Sequence, residues 1–581
     1  MKLLIEDYEY SEPEILPFLN LVDSKKKDGK SRFVGYLFSK ELNDCVFFLP
    51  KVILDKHGKV LGKYDPAELW NINQEILQEH NSFFRTFPIW IYQAINIYNR
   101  CKTNNSIVVQ QQLSSLDPTD TERHVPFIEN LLELVRFANE NKNFLLFKIM
   151  HLYDGQSKVN WPKTISHNLP YLKKGKAPIY LNPYAKKKEI DYEEELLVIF
   201  FSVLRYINDQ YGFSTDINLN FQLIPKSRFD DYLHGEGTRR LRTIRYKYFS
   251  DRTLRIWRLC YIFFSTADKI NSATTYSEFL LASDFDRVFE AMVDDIIGTE
   301  LPKHIRKAQE DGKEIDHLFE YDSLIDRHRK TFYIADSKYY KTKGQKEIEG
   351  NSLFKQYTYA RNLIQEDLEE RRDNPNSWKE YFPCRDDKTE GYNIIPNFFL
   401  SAYITPDHLN YDEKGIYVRP NENQKTFHFL NRLFDRETLL VQHYDINFLY
   451  VLKLYASNDT GDKLRFRTDI HQKFRTDILK RLNEEYTFSI YELKKKPASG
   501  QEYKALQDAI NPIFRLLNGK IICPEEDKSF TRFIVALEKE DNPKLKKEFS
   551  KIVRKQNNNI LEALNKDFVK IRDLMLGEDY R

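Results

Sequence analysis

The chain is expected to fold in the mixed α/β class (α+β overall), with a central mixed sheet flanked by helices. Three features of the sequence point there. Residues 271 to about 460 alternate amphipathic and continuously apolar segments in the order helix, strand, strand, helix, strand. Near the N-terminus, Arg32 to Phe38 and Cys45 to Leu54 read as a hairpin about the polar turn Glu41-Leu42-Asn43-Asp44. Long stripes at helical spacing flank both, Tyr192 to Tyr211 being the most apolar, with Glu193, Glu194 and Glu195 at its start complementing the helix dipole.

At roughly 100–200 residues per domain, a chain of 581 residues has room for three or four domains. Four regions are expected: an N-terminal β-hairpin and helical domain over 1–115 for partner or DNA binding, a helical middle domain over 116–270, an α/β domain over 271–460, and a mixed, mostly helical region over 461–581. In the first, Asp65-Pro66 opens a helix, Asp as cap and Pro in the first turn, and the aromatic stripe from Phe84 to Tyr98 packs a core. In the second, Ile128 to Ala138 is helical and Asn160 to Pro183 is loop-rich. In the last, His471 to Glu484, Gln501 to Leu517 and Lys544 to Leu576 read as helices, and Phe530 to Leu537 as a strand.

Composition excludes several classes. Hydrophobic residues at 41% and charged residues at 30% favour packed cores over disorder. A net charge of +2 carries no whole-chain signal for nucleic acid, so any such contact rests on local patches. The five cysteines are scattered and form no CxxC pair, which argues for reduced thiols and against a disulfide or zinc framework. The opening MKLLIEDYEY lacks the features of a signal peptide, and the longest apolar run, near Leu196 to Leu204, is half a membrane span. A cytoplasmic protein without a membrane partner is expected.

One local patch is basic. Arg239, Arg240, Arg242, Arg245, Lys247, Arg252, Arg255 and Arg258 face a single acid, Asp251, with Tyr246, Tyr248, Phe249 and Trp257 interleaved. Two readings fit. The first five can hold a DNA backbone, or the segment is a solvated helix face whose arginines pair with acids elsewhere.

The chemistry concentrates in Thr331 to Lys341, TFYIADSKYYK. It reads as a buried strand ending in Asp336-Ser337-Lys338, and strand alternation sets Asp336 and Lys338 on one face. A carboxylate and an ammonium at the end of an apolar strand need a partner. A structural ion pair or a metal-dependent active site supplies one. The neighbours favour the second. A helix buries Phe285, Val288, Phe289, Met292, Val293, Ile296 and Ile297 and carries Glu290 at the edge of that stripe, with Ser283 as its cap. A strand from Ile315 to Tyr321 carries Asp316, to which Glu320 or Asp322 is the alternative; Asp286, Asp294 or Asp295 are the alternatives to Glu290. A helix capped by Asn351 or Ser352 follows, bearing Gln356, and then a core strand from Ile394 to Ile404. Carboxylates so placed hold Mg²⁺, a hard cation for oxygen ligands, for which Mn²⁺ can substitute. Such a metal serves phosphodiester hydrolysis, with a lysine beside it to orient the attacking water. Metal ligands Asp316, Asp336 and Glu290 are therefore expected, with Lys338 and Gln356 completing the catalytic set. Asp23-Ser24-Lys25 repeats the triplet in polar sequence and reads as a solvated loop.

Asp316, then Asp336-Ser337-Lys338, then Gln356 with Tyr359 resembles the PD-(D/E)XK nuclease superfamily, nearest its McrC-like branch, with Asp336 in place of Glu and Ile315 where the motif's Pro would stand. VNWPKTI (Val159 to Ile165), APIYLNPY (Ala177 to Tyr184), EELLVIFFSVLRYI (Glu194 to Ile207) and NRLFDRETLLVQHYDINFLYVLKLY (Asn431 to Tyr455) are similar to the LlaJI family of restriction endonucleases. That resemblance implies a PD-(D/E)XK nuclease domain over 271–460 that cuts DNA in a prokaryotic antiviral restriction system, together with a separate McrB-type AAA+ GTPase. The chain has no Walker A motif of its own: Gly58 to Tyr64 has the wrong spacing. A non-catalytic DNA-binding or assembly subunit, and an RNA-directed nuclease, are the alternatives. Arg432, Asp435, Arg436 and Glu437 in NRLFDRETLL read as a charged network at a helix–strand junction rather than a ligand site, and Asn447 as a turn or the first residue of a strand.

Overall fold

The computed structural model describes residues 2–22, 29–40, 44–71, 74–101, 107–114, 126–142, 144–152, 158–172, 174–175, 177–211, 215–272, 276–299, 315–326, 329–340, 350–373, 384–404, 409–418, 430–457, 459–524, 531–542 and 545–578. The Asp23-Ser24-Lys25 triplet lies outside them. The architecture is mixed α/β, with several sheets flanked by helices.

The expected hairpin forms: Val34–Ser39 pairs antiparallel with Asp44–Leu49. Lys2–Ile5 adds to it in parallel. On the other side Tyr276–Ala282 joins antiparallel, followed by Val108–Ser114, so strand pairing runs across residue 270. Asp65 does cap a turn, accepting from the Ala67 N–H, but the turn is a short 3-10 helix, Pro66–Leu69. The long helix that carries the aromatic stripe is Gln74–Cys101. The helices Phe127–Glu140 and Glu195–Tyr211 lie where their periodicity sets them, with Glu193 and Glu194 just ahead of the latter. Between them, Phe147–Leu152 and Ala185–Ile190 form a separate two-stranded sheet.

The second large sheet positions the site. Its order is Ile416–Val418, Leu440–Asn447, Pro396–Tyr403, Lys330–Lys338, His317–Asp322. The inner three strands are parallel and both edge strands antiparallel. The helix Phe285–Ile297 precedes it, burying the seven apolar residues its spacing nominates. Its N-cap is Asp284 rather than Ser283, whose hydroxyl donates to the Ile107 carbonyl instead. The helix Gly350–Asp373 lies between the two central strands in sequence and covers the opposite face. Each strand of the centre is thus buried on both faces, which is why it reads as a continuous apolar run.

The C-terminal region is built on a sheet to a degree its helical periodicity does not suggest. Tyr486–Leu493 lies between Arg532–Glu538 and Phe568–Leu574, both antiparallel to it, with the short Ile521–Ile522 beyond. The final helix, Lys547–Asp567, stops ten residues short of Gly577, and the chain turns into Phe568–Leu574. That edge strand exposes its middle five residues and is buried only at its two ends. The five cysteines are unbridged.

Candidate active site

The strand Lys330–Lys338 serves two cores. Phe332 and Ile334 face the helix Gly350–Asp373, packing with Leu353, Tyr359 and Leu363. Tyr333 and Ala335 face the main core. Asp336 and Lys338 continue the first face. Asp336 is 1% exposed, and the side chain of Lys338 is 13% exposed. Lys338 Nζ lies 2.6 Å from Asp336 Oδ2 in a close ion pair. The same ammonium sits 5.5 Å from the Phe399 ring centroid on the neighbouring strand.

Asp316 meets Asp336 because of register. His317 pairs with Ala335, and one step further on each antiparallel strand come Asp316 and Asp336. The two carboxyl groups are within hydrogen-bond reach of each other. Two carboxylates at that separation do not both ionise readily. Burial foremost, then the hydrogen bond to Asp336 and the charges of Asp336 and Glu290, push Asp316 up to about 8. Burial opposes ionisation of Asp336 too, but the hydrogen bond from Asp316 and the charge of Lys338 outweigh it and hold Asp336 below the usual carboxylate range. The pair therefore retains one proton at neutral pH, with Asp316 the member pushed up.

Glu290, on the helix Phe285–Ile297, is raised by burial first, with Asp286 and Asp336 adding to the effect and His317 opposing it. It is within electrostatic reach of both aspartates, not in contact with them. Gln356 is fully buried on the covering helix, and neither its amide nitrogen nor its amide oxygen has a hydrogen-bond partner. The residue before it was not nominated from the sequence. Lys355 Nζ lies 3.4 Å from Asp316 Oδ1 and 5.4 Å from the Tyr359 ring centroid. Burial works against its charge, but Asp316 and Asp336 more than offset that and raise it. Its only sequence signal is its place beside Gln356, one helical turn before Tyr359. His317 was missed as well: it is fully buried and shares a 2.6 Å hydrogen bond with Ser337 Oγ, its other nitrogen 3.4 Å from Asp294 Oδ1. It ties both motif strands to the helix that carries Glu290.

Three of the alternative carboxylates have partners of their own. Glu320 pairs with Lys330 at 2.8 Å, Asp294 approaches His317, and Asp295 pairs with Lys463. Among the described residues, no three His, Cys, Asp or Glu side chains are close enough together to hold a metal. What the site offers a cation is two carboxyl groups within hydrogen-bond reach of each other, with Glu290 within electrostatic reach only. Asp316 and Asp336 are hard oxygen donors of the kind that Mg²⁺ or Mn²⁺ takes.

The basic segment is largely engaged within the chain. Arg240 and Lys247 pair with Glu195. Arg242 donates to the Tyr261 hydroxyl at 2.8 Å, Arg245 lies 5.2 Å from the Trp257 ring centroid, and Arg255 pairs with Glu133. Arg239 and Lys247 are exposed. In NRLFDRETLL, Arg432 pairs with Asp435, while Arg436 donates to Gln365 and Glu437 pairs with Arg361. These contacts fix the approach to the strand Leu440–Asn447 against the covering helix. Asn447 accepts from the Leu449 N–H, closing the turn from strand to helix.

Residues 147–401 match the family model described as LlaJI restriction endonuclease. The resemblance read from the sequence holds over that stretch, which is under half of the chain and includes Glu290, Asp316, Asp336, Lys338 and Gln356. The segment Asn431 to Tyr455 lies outside it. No curated protein and no solved structure matches the chain. No helix among the described residues is long and apolar enough to cross a membrane.

Proposed function

We propose, on the premise that residues 147–401 match the LlaJI restriction endonucleases, that the chain is a metal-dependent endodeoxyribonuclease of a prokaryotic restriction system. In this reading the sheet around Lys330–Lys338 is a PD-(D/E)XK core of the McrC-like kind, and a separate McrB-like AAA+ GTPase drives it. The observation that carries the reading is the meeting of Asp316, Asp336 and Lys338 at one end of a mixed sheet, with the two carboxyl groups in contact.

Each residue has a role that its position supports. Asp316 and Asp336 hold a divalent ion, and Glu290 assists from the adjoining helix. Bound Mg²⁺ supplies positive charge to the scissile phosphate and lowers the pKa of water. Lys338 orients the attacking water and donates to a non-bridging phosphate oxygen. Lys355 offsets the negative charge of Asp316, and Gln356 presents an unused amide to the site. His317 and Ser337 hold the two strands in register.

Asp336→Asn keeps the shape of the side chain and removes its charge. Cleavage of plasmid DNA in Mg²⁺ should fall by about 10²-fold or more, the scale of losing one transition-state charge contact, while far-UV circular dichroism stays unchanged. Cleavage at the wild-type rate would overturn the reading. The second reading, a non-catalytic DNA-binding or assembly subunit, has one observation in its favour: Lys338 already closes on Asp336 as an ion pair. It requires that Mn²⁺ not bind, and calorimetry decides that.

A further inference from the structure

The stretch from Gly155 to Lys188 contains eight lysines and no aspartate or glutamate, in a chain whose net charge is only +2. It coincides with a small module that backbone hydrogen bonds build and no large core fills. The Asn160 N–H donates to the Tyr184 carbonyl at 2.6 Å. Buried Thr164 donates to the Asn160 carbonyl and accepts from the Tyr184 N–H, each at 2.9 Å. Tyr171 and Ile179 exchange backbone bonds, and the Lys186 N–H donates to the Lys158 carbonyl. Side chains that would pack a core point outward instead: Leu169 is 95% exposed, Leu172 75%, Leu181 74% and Tyr171 67%. On the paired strands, Ile149 stands opposite Lys188, and Lys188 Nζ lies 4.3 Å from the ring centroid of half-exposed Phe147. Of the lysines, Lys187 pairs with Glu189, whereas Lys158, Lys174 and Lys186 have no acidic partner among the described residues.

Exposed apolar area on this scale marks an interaction surface. Its charge selects the occupant. Lysine is depleted at protein–protein interfaces, whereas unpaired lysines beside exposed aromatic and aliphatic side chains suit a phosphate backbone and its grooves. The arginines of the 239–258 segment, by contrast, are largely committed to partners inside the chain. We infer that the 158–188 module is the surface by which this protein grips duplex DNA, its lysines on phosphates and its Leu169–Leu181 tip against the groove. This rests on the nuclease reading above and adds where the DNA is held.

The test is fluorescence anisotropy of a labelled DNA duplex with the full chain in EDTA, across a salt series. Removing metal separates binding from cleavage. In the double variant Lys186→Gln, Lys188→Gln, log affinity against log salt should lose about 0.9 of slope per lysine, and affinity at physiological salt should fall about tenfold or more. The matched charge loss Lys504→Gln, Lys551→Gln, at exposed positions on other helices, should change neither. All four side chains are exposed, so unfolding midpoints serve as the folding check. Equal affinity and slope in the module variant and wild type would overturn the inference and leave the nuclease reading intact. So would unchanged DNA binding with loss of a GTPase partner, which would make the module a protein dock. No DNA binding by the wild type at all would overturn both.

Discussion

In the proposed metal site, Asp316 should make cation binding depend on pH. Pushed up to about 8 by burial and by Asp336, it carries a proton at neutral pH when no metal is bound. A carboxylate ligand must give up that proton, so metal and proton compete. Below about pH 8 the apparent affinity for Mn²⁺ or Mg²⁺ should rise tenfold per pH unit, and above about 8 it should level off. At about pH 7, one unit below that value, competition costs about 1.4 kcal/mol, and at about pH 6 twice as much. The linked effect on stability has the opposite sign. Asp316 lies above its unfolded value, so its contribution to the metal-free fold is full in acid and is lost as pH rises through about 8. Asp336 lies below its unfolded value, so its contribution is present at neutral pH and is lost in acid. Calorimetric titration with Mn²⁺ in two buffers of different ionisation enthalpy reads both affinity and proton count. About one proton should be released per ion at about pH 6.5 and close to none at about pH 9. Asp316→Asn should abolish the proton release and weaken binding. Affinity that is flat between about pH 6 and 8, with no proton released, would refute the reasoning, because Asp316 would then be either ionised beforehand or not a ligand.

Three further outcomes are expected. Gln356→Leu removes a buried amide that has no hydrogen bond, so the metal-free protein should gain about 1–3 kcal/mol in urea unfolding while cleavage drops; a loss of stability would show that the amide is satisfied in solution. Tyr339→Phe deletes the hydroxyl that donates to buried Glu6 at 2.5 Å, and should cost about 1–3 kcal/mol of stability by the same measurement, with Mn²⁺ affinity nearly unchanged. Lys355→Met takes away the cation that opposes the rise of Asp316, so the pH at which Mn²⁺ affinity levels off should move above about 8; an unmoved profile would separate Lys355 from the site.

What could be read from the sequence was whatever a single segment's period encodes. The helix Phe285–Ile297 buries each of the seven apolar residues that its 3.6-residue spacing nominates. Asp336 and Lys338 share a face because strands alternate, and the helix–strand–strand–helix–strand order of this region appears in the fold. The contact of Asp316 with Asp336 depends on register between two strands, which no single segment records. Lys355 reaches Asp316 across 39 residues, and nothing in its own neighbourhood distinguishes it from the other lysines of an exposed helix edge. The same limit explains Tyr276–Ala282, a strand that the sequence reading did not identify and whose partners, Val34–Ser39 and Val108–Ser114, are remote in the chain. Phe568–Leu574 was hidden for another reason: it is buried only at its two ends, and its short apolar–polar alternation falls where a helix was expected to run on.

The charges around Asp336 explain how such a site folds before any cation arrives. Asp316, Asp336 and Glu290 bring three carboxyl groups into one buried region, and Lys338 and Lys355 bring two ammonium groups. With the proton that Asp316 retains, the set is close to neutral, so the cost of burying like charges together is mostly removed. The two lysines thus have a use in the resting protein that is separate from chemistry. A structural ion pair selected for stability alone has no reason to keep a buried glutamine on the covering helix with both polar atoms of its amide unpaired. That unpaired amide and the second carboxyl group of Asp316, more than the Asp-x-Lys triplet itself, support the proposed metal site over an ordinary buried salt bridge.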